Sequence, residues 1–146
     1  MDPETHGRIV CHLQADPVVL QVIDPKSEEM GDGVYRFKAE IQWSGDAIVR
    51  RYLQKHGRMG VYEQMRRLVQ EAPADGAGDN HTDEAMMSFG RGVIRTVGEE
   101  IDRLEGELKA LVPGLVYVDL ETDKGRAEKA MAFAATAATA SPPAGH

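Results

Sequence analysis

Gly33-Val-Tyr-Arg-Phe-Lys-Ala-Glu-Ile-Gln-Trp43 decides how this chain folds. From Tyr35 the residues alternate. Tyr35, Phe37, Ala39, Ile41 and Trp43 fall on one side and Arg36, Lys38, Glu40 and Gln42 on the other, the period of a strand with one buried and one wet face. A helix would scatter the five apolar side chains around its circumference. The stretch holds the chain's single Trp, and each large apolar side chain it buries contributes roughly 1.5–3 kcal/mol before conformational entropy is counted. It is therefore read as the central strand, with Trp43 closing its buried row.

Upstream, Val18-Val-Leu-Gln-Val-Ile23 is rich in β-branched residues and reads as a second strand. Gly31-Asp-Gly33 is a turn signal, so residues 18–28 and 33–43 are expected to form an antiparallel hairpin, with Pro25 at an edge or bulge. Before them, Asp2 and Pro3 suit the cap and first position of a short helix over residues 4–14, with Ile9, Val10 and Leu13 as its apolar stripe.

Downstream of Trp43, Ser44-Gly-Asp46 is a turn, and Ile48, Val49, Tyr52 and Leu53 favour a helix over a short return strand for residues 47–55. Tyr62, Met65, Leu68 and Val69 mark another helical stripe, and residues 72–80 have the composition of a loop. A long amphipathic helix is expected from the cap Thr82 to Val112, where Pro113-Gly114 stops it. Glu99–Arg103 and Glu105–Lys109 have the spacing of helical ion pairs, and Gly90, Gly92 and Gly98 point to a kink or a close approach. Leu115-Val-Tyr-Val-Asp-Leu-Glu121 is the last strand, with Val116, Val118 and Leu120 expected inward. The chain thus divides into a domain over residues 1–123 and a flexible Ala/Pro-rich tail over residues 124–146.

With 17 basic and 24 acidic residues the net charge is −7, which argues against nucleic-acid binding by general attraction. No apolar run reaches the ~20 residues of a membrane span, so direct membrane insertion is not expected, and Met1-Asp-Pro-Glu4 opens no signal peptide. One cysteine, Cys11, excludes an internal disulfide and any paired-cysteine metal motif. The remaining metal donors are His6, His12, His56, His81 and the acidic turn residues Glu28, Glu29 and Asp32. Their spacing does not define a tetrahedral set: Cys11 and His12 diverge on a helix, and only His56 and His81, flanking loops, could approach each other. The simpler reading is solvated side chains, and metal ligands stay unassigned. Arg50-Arg51 and Arg66-Arg67 read as a wet helical face rather than an anion site. No nucleophile elbow, phosphate loop or zinc-protease helix is present, so no enzyme is expected.

Three stretches together resemble the C-terminal soluble domain of the cation diffusion facilitator family, especially its subgroup similar to mammalian zinc transporter nine. They are Asp2-Pro-Glu4 through Ala15-Asp-Pro-Val-Val19, then Val34-Tyr-Arg-Phe-Lys-Ala-Glu-Ile41 with Arg51-Tyr-Leu53, then Val97-Gly-Glu-Glu-Ile-Asp-Arg-Leu-Glu105 with Val118-Asp-Leu-Glu121. Residues 57–81 depart from the family's pattern. The resemblance implies an α+β, ferredoxin-like αββαβ sandwich, with helices on one face of a small mixed sheet. It also implies a dimerising, regulatory role beside the membrane domain of a zinc efflux transporter, without transport by this chain alone. On that reading the partners are a second copy and the parent's membrane domain, zinc is at most weakly bound and not needed for folding, and the location is the cytosolic or matrix side of a mitochondrial or bacterial inner membrane. The alternative is a stand-alone ferredoxin-like binding or scaffold protein.

Overall fold

A computed structural model describes residues 1–70, 78–123 and 125. The expected mobility of residues 124–146 falls outside the described residues, except for Gly125. The elements run α1 (Pro3–Ala15), β1 (Val19–Gly31), β2 (Val34–Trp43), α2 (Gly45–His56), α3 (Arg58–Gln70), α4 (Gly78–Leu111) and β3 (Leu115–Thr122). The expected αββαβ order is corrected in one respect, because among the described residues three helices, not one, lie between β2 and β3. Gly57, at φ +77°, separates α2 from α3 by leaving the helical region of φ/ψ space. The fold is mixed α+β, broadly ferredoxin-like, with a three-stranded sheet and helices on one face.

β2 is central: it pairs antiparallel with β1 and parallel with β3. The parallel pairing requires a crossover, which α2, α3 and α4 supply. The register of the hairpin slips between Ile23 and Lys26, where Asp24 takes φ +47° and Pro25 escapes the ladder. At the far end, Gly33 (φ +74°) and Gly114 (φ +83°) meet so closely that a Cβ on Gly114 would lie 2.2 Å from the Gly33 carbonyl oxygen. The Tyr35 amide donates to the Gly114 carbonyl at 2.8 Å there, which starts the parallel pairing.

Phe37, Ala39 and Ile41 are buried as the alternation requires, and Tyr35 is half-buried. Trp43, expected to be as buried as its row, is also only half-buried. It ends β2, beside a surface groove shared with Leu20 and Thr122, and its indole N–H donates to Thr122 Oγ1 at 3.1 Å. Ile9 and Leu13 of α1 and Leu104 and Leu108 of α4 complete the core against this face. In β3 the inward set is Leu115, Val118 and Leu120, whereas Val116 is 49% exposed. The register explains the correction: Tyr35 faces Leu115 and Arg36 faces Tyr117, so Val116 is an extra residue and the alternation changes parity across it.

The starts of α1 and α2 have a local cause. Asp2 Oδ1 accepts from the Thr5 amide at 2.9 Å, and Ser44 Oγ accepts from the Ala47 amide at 3.2 Å. α4 begins at Gly78, four residues before the expected cap Thr82. Of the three glycines that foretold close packing, Gly92 carries it: a Cβ there would sit 2.3 Å from Tyr52 Cε2 of α2.

Candidate functional site

Two assemblies of polar side chains stand out, one between helices and one on the open face of the sheet. The first centres on Arg103 of α4. Its Nη2 donates to Glu100 Oε2 at 2.6 Å and to Asp16 Oδ2 at 2.9 Å, and its Nη1 donates to Glu107 Oε1 at 2.8 Å. Glu107 Oε2 accepts from His12 Nε2 at 2.9 Å, so that nitrogen carries the hydrogen. Glu100, only 9% exposed, also lies 3.7 Å from Arg51 Nε of α2. The cluster joins α1, α2 and α4 through a half-buried arginine that satisfies three carboxylates.

Its electrostatics follow from that geometry. Partial burial opposes the Arg103 charge, but the hydrogen bonds to Glu107, Glu100 and Asp16 outweigh it and raise the guanidinium pKa. Hydrogen bonds from Arg103 and His12 hold the Glu107 carboxyl below its ordinary range, against a smaller effect of burial. The cluster departs from the pairing that helical spacing predicts: Arg103 does not pair with Glu99, which bonds Lys55 of α2 instead, and no Glu105–Lys109 pair forms among the described residues. Glu100 and Glu107 stand three before and four after Arg103, a legible signal. Asp16, 87 residues away in sequence, gave none.

The second assembly is the outer face of the sheet. Lys38 Nζ donates to Glu121 Oε1 at 2.6 Å and lies 3.8 Å from Asp119 Oδ2, which is 3.9 Å from Arg36 Nη2. The bond to Glu121 raises the Lys38 pKa. Glu28 of β1 is registered opposite Arg36. A basic middle strand is thus flanked by carboxylates on both neighbours, a polar face of mixed sign as the alternation implied.

The expected metal donors are dispersed. His6 Nδ1 is 3.0 Å from Ser27 Oγ, His12 is held by Glu107, and His56 Nδ1 is 3.0 Å from the carbonyl of Tyr52 on its own helix. Cys11 is exposed, and Glu29 lies 3.8 Å from the N-terminal ammonium. Asp32 sits in the hairpin turn at φ +52°. The His81 side chain, and with it an approach to His56, lies outside the described residues. Among the described residues no group of three or more His, Cys, Asp or Glu side chains is placed to hold a metal ion.

Comparison with known proteins supplies what the geometry alone does not. Over 121 residues, 83% of the chain, it is 38% identical to metal tolerance protein C4 of Arabidopsis thaliana, covering 25% of that protein. Over the same length it is 36% identical to the mitochondrial proton-coupled zinc antiporter SLC30A9 of mouse and of human, covering 20% of each. The chain is a domain of the cation diffusion facilitator family. This facilitator domain spans a quarter or less of the length of these relatives. No protein-family profile matches it, and no solved structure matches it significantly. Facilitators are transporters and not enzymes, as the sequence's want of a catalytic motif led one to expect. No helix of the domain, among the described residues, is long and apolar enough to cross a membrane.

Proposed function

We propose that this domain is the dimerising, regulatory part of a membrane protein that exports zinc, working beside the parent's membrane-embedded portion on the cytosolic or matrix side of a mitochondrial or bacterial inner membrane. The observation that carries the reading is 36% identity over 121 residues to proton-coupled zinc antiporters. The structure supports an interaction role in two ways. Among the described residues the helices leave one sheet face open, and that face carries alternating charges suited to a polar subunit contact. The Arg103 cluster holds α1, α2 and α4 in one arrangement, a rigid body through which movement at one end can reach the other. The dispersed donors lead us to propose further that dimerisation needs no zinc, and that any zinc held by the domain is held weakly.

Two experiments test this. Sedimentation of the isolated domain at micromolar concentration should give a dimer with chelator and with excess zinc; a monomer in both would overturn the dimerising role. Replacing the homologous segment of the human antiporter with this domain should preserve proton-driven zinc transport that deletion of the segment abolishes. A correctly inserted chimera without transport would overturn the transporter reading.

A further inference from the structure

The chain's −7 net charge conceals a segment of opposite sign. From Gly45 to Gln70, α2 and α3 carry six basic residues against two acidic ones, a net charge of +4. Arg51 and Lys55 are spent on Glu100 and Glu99 of α4, and Arg67 on Glu63. Arg50, Arg58 and Arg66 are exposed and have no ion pair among the described residues. Arg58, Tyr62 and Arg66 follow one another at four-residue spacing, which lines them up along one face of α3 with Met59 beside them.

That basic row borders an apolar groove of about 420 Å³ between α2, α3 and α4, lined by Val49, Leu53, Met65, Phe89, Tyr62 and Met86. Of its lining residues Met86 is 67% exposed and Tyr62 45%, and Met59, one helical turn before Tyr62 on α3, is 72% exposed. Exposed Met and Tyr flanked by unpaired arginines are the makings of a surface that rests on anionic lipid. We propose that the α2–α3 face of this domain docks peripherally on an anionic bilayer surface, with Arg50, Arg58 and Arg66 at the headgroups and Met59, Tyr62 and Met86 against the acyl boundary.

The overall negative charge does not defeat this. At physiological ionic strength electrostatic attraction decays over about 8 Å, so the bilayer meets the charge of the nearest face and not that of the whole domain. The inference rests on the transporter reading only for placing a membrane within reach; the charge and exposure stand without it.

Flotation of the 146-residue protein with vesicles of phosphatidylcholine, and of phosphatidylcholine with 30% phosphatidylserine, tests the proposal. Binding should require the anionic lipid and weaken at 0.5 M salt. The triple variant Arg50→Gln, Arg58→Gln, Arg66→Gln should lose roughly a hundredfold in partition coefficient, as about 1 kcal/mol per basic residue implies. Removing charge elsewhere, by Arg8→Gln and Lys109→Gln, should change it by no more than a few-fold. No binding to anionic vesicles, equal binding to both compositions, or equal loss in both variants would overturn the proposal. So would a face variant that abolishes self-association of a protein without vesicle binding, since the face would then be a contact between copies. None of these outcomes touches the transport of the chimera, so the two readings fail separately.

Discussion

Gly90, Gly92 and Gly98 lie within nine residues on one helix, yet replacing each with alanine should not have the same sign. At Gly90 and Gly98 an added Cβ meets nothing within 4 Å. There the substitution only removes backbone freedom from the unfolded chain and should stabilise by up to about 1 kcal/mol. At Gly92 the Cβ would lie 2.3 Å from Tyr52 Cε2 and 3.0 Å from Cζ. Carbon atoms prefer about 3.5–4.0 Å, so the ring must retreat by more than 1 Å. Tyr52 is 8% exposed and meets Phe89 edge-on with ring centroids 5.4 Å apart, which leaves it little room. Overpacking of this kind costs about 1–3 kcal/mol, more than the helical gain, so Gly92→Ala should destabilise by about 1 kcal/mol net. For a domain of this size the melting temperatures should separate by about 3–5 °C per kcal/mol. Urea titration of the three variants reads the signs, and repeating Gly92→Ala in a Tyr52→Leu background should recover most of its loss. If Gly92→Ala stabilises as much as its neighbours do, Tyr52 does not pack where the structure places it.

Phe37→Ala should cost about 3–5 kcal/mol, since Phe37 is fully buried at the centre of the sheet; near-normal stability by urea titration would show the face of β2 to be reversed. Gly114→Ala should also be severe, because it combines φ +83° with a Cβ 2.2 Å from the Gly33 carbonyl, and loss of amide protection at Tyr35 is the expected readout. Because the Glu107 carboxyl is held below its ordinary value of 4.5, its stabilisation is complete above that value and is lost as the pH falls through the depressed folded value. Glu107→Gln should therefore lower stability at pH 7 and reduce its dependence on pH in the acid range; an unchanged acid limb in urea titrations across that range would refute the pairing with Arg103.

The alternation in Tyr35–Trp43 was enough to name the central strand and its buried side, because a period of two is fixed by the backbone of any strand. The hairpin was legible for the same kind of reason: Gly31-Asp-Gly33 supplies the positive φ angles that a tight turn demands. The helical identity of α2 followed from Ile48 and Tyr52 four residues apart, both buried in the structure. What the sequence determined is thus what neighbouring residues dictate to one another. Only the tertiary structure decided which glycine was needed for packing, since Gly90, Gly92 and Gly98 differ solely in what lies opposite them. It also decided the face of β3, where the bulge at Val116 arises from pairing with β2 and not from the strand's own pattern. The Arg103 cluster is the extreme case. A guanidinium can reach several carboxylates on its own helix, and the choice among Glu99, Glu100 and Glu107 is made by Asp16 and Arg51, which folding delivers from distant parts of the chain.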